Sequence, residues 1–397
     1  MRTKAGETAL QAAEALIPLI EAEADAAERQ YHLTAQVVEA LRRSGLYAML
    51  LPKELGGGEL PFADAMEVVA RLSWADASTG WCTMVNGVMS ASLGAFVSAE
   101  GARTVYARGN DVTIAGNGVP RGYARPVKGG YMIRGHWAYG SGIHHAEWIH
   151  SGCFLTDGDG KPVTNENGSP KIVLAHHPKA SIELKGNWDV LGLRGTGSFD
   201  YTLKEPELFV ADALCFPFDG APLQRGGPEY ALGLVAFTTW GHSSWALGVG
   251  RRALDELARL ASERGDLWGK LAESATFKKS FADAEGRFRG ASALVRESWA
   301  SLSDTIAAGG RPGVKQIALI RLGMRQLHDA LSEVTTFAHR SARGASLRSS
   351  KLQRCYRDAH AGTQHLLLAD EIVMECGRAL MGATGESAYW TMFGIVG

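Results

Sequence analysis

Cysteine is sparse and scattered. The five thiols, Cys82, Cys153, Cys215, Cys355 and Cys376, show no Cys-x-x-Cys spacing, so no disulfide framework is encoded and the set reads as reduced thiols of a cytoplasmic protein. Charge of one sign is equally absent. Forty-one basic residues face 42 acidic ones for a net charge of -1, with no long basic run, which argues against a nucleic-acid partner. No window is long and apolar enough for a membrane span, and the N-terminal segment "MRTKAGETALQAAEALIPLIEAEADAAERQ" is broken by acids, unlike a signal peptide. A soluble, cytoplasmic chain is expected.

Several catalytic signatures are missing as well. There is no His-Glu-x-x-His, and His144 and His145 in "HHAEWIH" are expected on opposite faces of a strand, so no metal site is expected. "GHSSW" (241–245) is not a nucleophile elbow. No Walker lysine motif occurs. "AGNGVPRG" (115–122) has the wrong glycine spacing for a dinucleotide fingerprint, and Pro120 interrupts any strand-to-helix transition.

What is present falls into three textures. With 397 residues, two or three domains or layers are expected. Residues 1–111 read as an N-terminal helical domain, since Leu10, Ala13, Leu16, Ile17 and Ile20 recur at helical spacing. A Gly- and Pro-rich loop follows at 51–61, then two further helices. Residues 112–222 form a central β domain: Tyr131, Ile133, Trp137 and Tyr139 share one parity, as do Phe199, Tyr201 and Leu203. Residues 223–397 return to long helical stripes, a C-terminal helical bundle domain. The fold class is α+β.

Four stretches carry candidate chemistry. In "WAYGSG" (137–142), a serine sits between glycines at a strand end, beside aromatic rings large enough to wall a planar ligand; an ordinary hairpin turn explains the same residues. "LQRCYRDAHAGTQH" (352–365) places Asp358 and His365 two turns apart on one face, if helical throughout, with His365 a donor or proton shuttle. "WDVLGLRGTGSFDYTL" (188–203) adds the hydroxyls of Thr196 and Ser198 on a glycine-rich segment, where sheet-edge packing is the bland reading. Trp81, in "DASTGWCTM", is either core or an apolar wall on the substrate side.

Together these stretches resemble the acyl-CoA dehydrogenase superfamily over nearly the whole chain. "LRRSGLYAMLLPKELGGG" is similar to its Gly-Leu…Pro-Glu-x-x-Gly-Gly signature, "ALGVGRRALDELARLA" to a large-helix segment, and "RDAHAG" to its late Arg-Asp-Ala helix. The resemblance implies a helical domain, a β domain and a four-helix bundle with flavin between sheet and bundle, in a homotetramer. It also implies a glutamate base for α-proton abstraction. That position falls at Leu366, and the alternative location, "FTTWGHSSWALGVG" (237–250), contains no acid.

A second departure is Tyr139-Gly140-Ser141 in place of the dehydrogenases' flavin-contacting Trp-Ile-Thr. Both departures point to the flavin-dependent monooxygenase branch, which "WAYGSG", "GLRGTGS", "LQRCYRDAHAGTQH" and Gly116-Asn117 resemble. The resemblance implies an oxygenase component that takes reduced FMN or FAD from a separate NAD(P)H:flavin reductase. It reacts with O2 through a C4a-hydroperoxyflavin and hydroxylates an aromatic, phenolic or polycyclic small molecule. Ser141 then matches the serine beside flavin N5 and His365 the histidine near C4a, with Asn117 a third candidate in the same pocket. Tyr139, Gly142, Thr196 and Ser198 fall on the cofactor side, and Arg264 matches an arginine sent to the flavin phosphates of a neighbouring subunit. An FAD-dependent acyl-CoA dehydrogenase and a scaffold that has lost flavin remain as alternatives.

Overall fold

A computed structural model describes residues 2–166, 168–263, 265–266, 269–383, 389–390 and 395–396. The chain opens with helix α1 (Lys4–Gln30), capped at Thr3, whose hydroxyl accepts from the Gly6 amide. Its buried stripe of Ala13, Ile17, Ile20, Ala24 and Ala27 has helical period. Helices α2 (Ala35–Arg43), α3 (Phe62–Ala75), α4 (Ala77–Phe96) and α5 (Ala99–Val105) follow. Asp76 starts α4 by accepting the Thr79 amide at 2.8 Å, an N-cap that satisfies one orphan donor of the helix end. Nearly every side chain of α4 is buried, its small residues allowing neighbours on all sides.

Strands β1 (Ile114–Val127), β2 (Gly130–Gly140), β3 (Trp148–Leu155), β4 (Ile172–Pro178), β5 (Ile182–Leu184), β6 (Phe199–Leu203), β7 (Leu208–Ala211) and β8 (Cys215–Pro217) make one sheet. Its order is β5-β6-β2-β1-β3-β4-β8, with β7 also on β2. The β1–β3 pair is parallel and the other pairs are antiparallel. This sheet has its own apolar core, built on Ile133, Trp137, Ile149 and Tyr201.

The C-terminal region contains α6 (Gly233–Glu263), α7 (Ala275–Ala307), α8 (Val314–Ala342), α9 (Lys351–Gly362) and α10 (Asp370–Leu380). α8 packs on α6, α7, α9 and α10, while α6 also packs on α3 and α4. The first and last helical regions therefore share a single core, and the sheet is a separate layer beside it. Two glycines on α6 and α9 permit close approaches. A Cβ at Gly248 would lie 2.0 Å from the Ala70 carbonyl oxygen, and one at Gly362 would lie 2.3 Å from the Trp245 ring. The second contact seats the end of α9 on α6, where the candidate site lies.

Candidate active site

Strand β2 does not keep its alternation to the end. The register with β6 shifts between Trp137 and Gly140, and Tyr139 takes a positive φ of 62°. Such a bulge re-aims one side chain. Tyr139 is 63% exposed, whereas Trp137 is wholly buried, stacked on Tyr201 and donating to the Gly152 carbonyl at 2.7 Å. The parity expected of Trp137 and Tyr139 thus breaks at the bulge, and Trp137 is core, not a ligand wall. Tyr139 stands edge-on to Trp188 at 6.3 Å between ring centroids. Beyond it, residues 141–145 form a turn instead of the expected strand, and His144 stacks on His32 at 3.7 Å. The Gly142 amide, at φ 73°, donates to the Thr196 carbonyl at 2.8 Å and ties this turn to the loop before β6.

Between the two loops runs a chain of hydroxyls whose direction is fixed. Thr196 Oγ1 lies 2.7 Å from the Leu193 carbonyl oxygen, which can only accept, so the threonine proton is committed there. Ser198 Oγ, 2.7 Å from Thr196 Oγ1, must then donate to it. Ser141 Oγ, 2.7 Å from Ser198 Oγ, must in turn donate to Ser198. The proton of Ser141 is therefore engaged, and toward everything else this hydroxyl is an acceptor. One of its lone pairs takes the indole N–H of Trp81 at 3.0 Å. The second is left over.

Trp81 links the serine to a group of imidazoles. Its ring lies 4.9 Å from His242 on α6, 5.1 Å from Trp245 and 6.3 Å from His365. The His242 and His365 rings are 4.0 Å apart, and His328 on α8 lies 6.0 Å from both His242 and Trp245. Ser141 and His365 thus flank one tryptophan. The shared helix face expected for Asp358 and His365 is not formed: α9 ends at Gly362, and His365 caps a short 3-10 turn, accepting the Leu367 amide on Nδ1 at 3.3 Å. Asp358 instead accepts the Leu193 amide at 2.6 Å, holding the loop whose carbonyl anchors the hydroxyl chain. Burial pushes its carboxyl up to about 7.

These contacts decide the tautomers. Burial, then the neighbouring His328, lowers His365 to about 4, so it is neutral at pH 7. With Nδ1 accepting, its proton sits on Nε2, and His365 offers an uncharged N–H donor. Burial likewise lowers His328 to about 4. Its Nδ1 faces the Met324 carbonyl at 2.9 Å and must be the protonated nitrogen. His242 is held well below its ordinary value by burial and by His365 and His328. The Nδ1 of His242 and the Nε2 of His328 are buried without a hydrogen-bond partner.

His242, His328 and Trp245 were not singled out from the sequence. A histidine and a tryptophan three apart in "GHSSW" on a uniformly buried helix was the available signal. Asn117 is engaged elsewhere: its Nδ2 donates to the Ala138 carbonyl at 2.7 Å and its Oδ1 accepts the Val119 amide at 2.8 Å, bracing the bulge between β1 and β3. Among the described residues, no hydrogen bond joins it to the imidazole group. Arg264 lies outside the described residues. Leu366 is 41% exposed.

The donor set suits a reduced flavin. Ser141 already accepts an N–H from the edge of a planar aromatic ring, the kind of group that N5–H of a reduced isoalloxazine presents, and it keeps a lone pair for another. Residues 5–106 match the model of the acyl-CoA dehydrogenase N-terminal domain, and residues 240–370 that of the acyl-CoA dehydrogenase C-terminal domain. The chain is 30% identical over 358 residues to indole-3-acetate monooxygenase of Pseudomonas putida, covering 89% of each. It is 27% identical over 370 residues to the flavin-dependent monooxygenase oxygenase subunit HsaA of Rhodococcus jostii, covering 90% of this chain and 93% of that one. The crystal structure of 3-HSA hydroxylase from Rhodococcus sp. RHA1 superimposes with a TM-score of 0.86 at 25% identity, over 94% of this chain and 97% of the other. By these measures the chain belongs to the acyl-CoA dehydrogenase superfamily and, within it, to the flavin-dependent monooxygenases.

Proposed function

We propose that this chain is the oxygenase component of a two-component system that receives reduced FMN or FAD from a separate NAD(P)H:flavin reductase and hydroxylates an aromatic small molecule, phenolic or polycyclic. The named relatives support the substrate class, since one of them acts on indole-3-acetate. The single observation that carries the reading is the one-way hydroxyl chain ending at Ser141, across Trp81 from a neutral histidine N–H donor.

When bound, the reduced flavin supplies the electrons that activate O2 for transfer of one oxygen atom to the substrate. The protein's part is to position, to keep water out and to hold protons. Ser141, oriented by Ser198 and Thr196, accepts the N5 proton's hydrogen bond and keeps that proton in place. His365 would offer its Nε2–H to the reacting oxygen, where a preorganised neutral donor stabilises developing negative charge. Trp81 and Trp245 line the site with apolar surface and exclude water. Tyr139 and Gly142 lie on the cofactor side of the turn. Asn117 acts on the pocket only through the sheet that it braces.

The dehydrogenase alternative lacks its base. Leu366 stands where a carboxylate is required, and α6 offers no acid between 237 and 250. The assembly we propose is a homotetramer.

The test is Ser141→Ala. Losing one hydrogen bond of about 0.5–1.5 kcal/mol accelerates loss of the N5 proton roughly two- to tenfold. With reduced flavin, O2 and indole-3-acetate as a trial substrate, the variant is expected to consume reduced flavin at the wild-type rate while releasing more hydrogen peroxide per product formed. An unchanged ratio of product to peroxide contradicts the assignment.

A further inference from the structure

His328 is 1% exposed on α8 and presents an acceptor with nothing to accept. Its Nδ1–H is fixed on the Met324 carbonyl, so in the neutral ring Nε2 carries only a lone pair. The two indole donors of this group are engaged elsewhere. Trp245, stacked on His328 at 6.0 Å, donates to the Ala77 carbonyl at 2.9 Å, and Trp81 donates to Ser141. His242, 2% exposed and lying between His328 and His365, also has an unpartnered ring nitrogen, Nδ1. His328 Nε2 is thus a buried acceptor without a donor, on a helix that packs against α6. A buried acceptor without a donor is costly, and native interiors seldom leave one so.

We propose that His328 is the specificity-determining acceptor of the substrate pocket: it takes a ring N–H or O–H of an aromatic molecule and discriminates against isosteres that lack one. The inference rests on the proposed function for what then happens to the bound molecule, but not for the binding itself. The requirement follows from the acceptor: His328 Nε2 reads whether a bound ring has a proton to give. A ligand without a donor displaces nothing useful and leaves the acceptor desolvated, which weakens binding roughly ten- to a hundredfold.

The experiment compares indole with 1-benzofuran, which replaces the ring N–H by an oxygen and keeps the size, by calorimetric titration of the full-length protein. Wild type is expected to bind indole at least tenfold more tightly. In His328→Phe, which keeps an aromatic ring and removes the acceptor, the two affinities should fall within about twofold of each other. A second measurement needs no variant: in protein labelled with nitrogen-15 histidine, indole should shift the unprotonated Nε2 resonance of His328, and benzofuran should not.

Equal affinities in wild type, failure of both ligands to bind, or an indole titration that leaves that resonance in place each overturns the proposal. The outcomes separate it from the catalytic reading. If selectivity fails while flavin-dependent hydroxylation is observed, only His328's role falls. If selectivity holds while reduced flavin fails to bind, the catalytic reading falls and the donor-reading pocket stands.

Discussion

Single residues carry most of the chemistry, and they differ in how openly the sequence displayed them. Ser141 was legible because a hydroxyl between two glycines at a strand end is a small pattern. Thr196 and Ser198 were visible as hydroxyls, but the direction of their protons depends on the Leu193 carbonyl, which only the folded loop supplies. His242 and His328 escaped because an imidazole inside an apolar helical stripe has the spacing of core. The same burial has a measurable consequence. His176 and His328 are lowered to about 4 and His177 to about 3, by burial first in each case. Unfolded, these rings take up protons near 6.5. The unfolded chain therefore binds more protons between about pH 6.5 and 4, so their contribution is complete above that window and lost as pH falls through it. Each ring amounts to on the order of 3 kcal/mol. Asp358, pushed up to about 7, has the opposite sign: its carboxyl keeps its proton in the fold, and its contribution fades as pH rises from about 4 toward 7. Three rings outweigh one carboxyl. The urea midpoint is expected to drop steeply between pH 6.5 and 5, and a midpoint unchanged over that range would show the imidazoles to be more hydrated than the structure has them.

Elements bring these residues together by close approach more than by periodicity. Helical spacing located α1, α6 and the later helices, yet it overran the end of α9 and placed His365 on a face that stops at Gly362. Leaving the helix is what frees His365 to cap its own turn and to fix its tautomer. Likewise, strict alternation in β2 misassigned Tyr139, because a bulge is invisible to a period-two count. The seat of α9 on α6 depends on Gly362, where a Cβ would lie 2.3 Å from Trp245. Gly362→Ala is therefore expected to destabilise the fold by about 1–3 kcal/mol, an overpacking effect, and to displace Trp245 from the imidazole group. Denaturant unfolding checks the first part, and the calorimetric affinity for indole checks the second; wild-type values for both would show that the contact relaxes freely.

At the scale of the whole molecule, the order of helices, sheet and helices was plain from the change of period, and the family resemblance gave the layers their identity. Less plain was that the first and last helical regions share one core, since that follows from α6 packing on α3 and α4, a contact far apart in sequence. This shared core holds Trp81 of α4 against His242 and Trp245 of α6, while the sheet delivers Ser141 from the other side. Among the described residues, no helix is long and apolar enough to cross a membrane. The architecture thus presents one hydroxyl acceptor and one neutral imidazole donor across a tryptophan wall, and the central claim is that reduced flavin occupies the space they flank. Its most direct measurement is anaerobic NMR of reduced flavin labelled with nitrogen-15 at N5, bound to wild type and to Ser141→Ala. A hydrogen-bonded, slowly exchanging N5–H signal in wild type that shifts and exchanges faster in the variant is the expected result; identical N5–H signals in the two proteins would contradict the account.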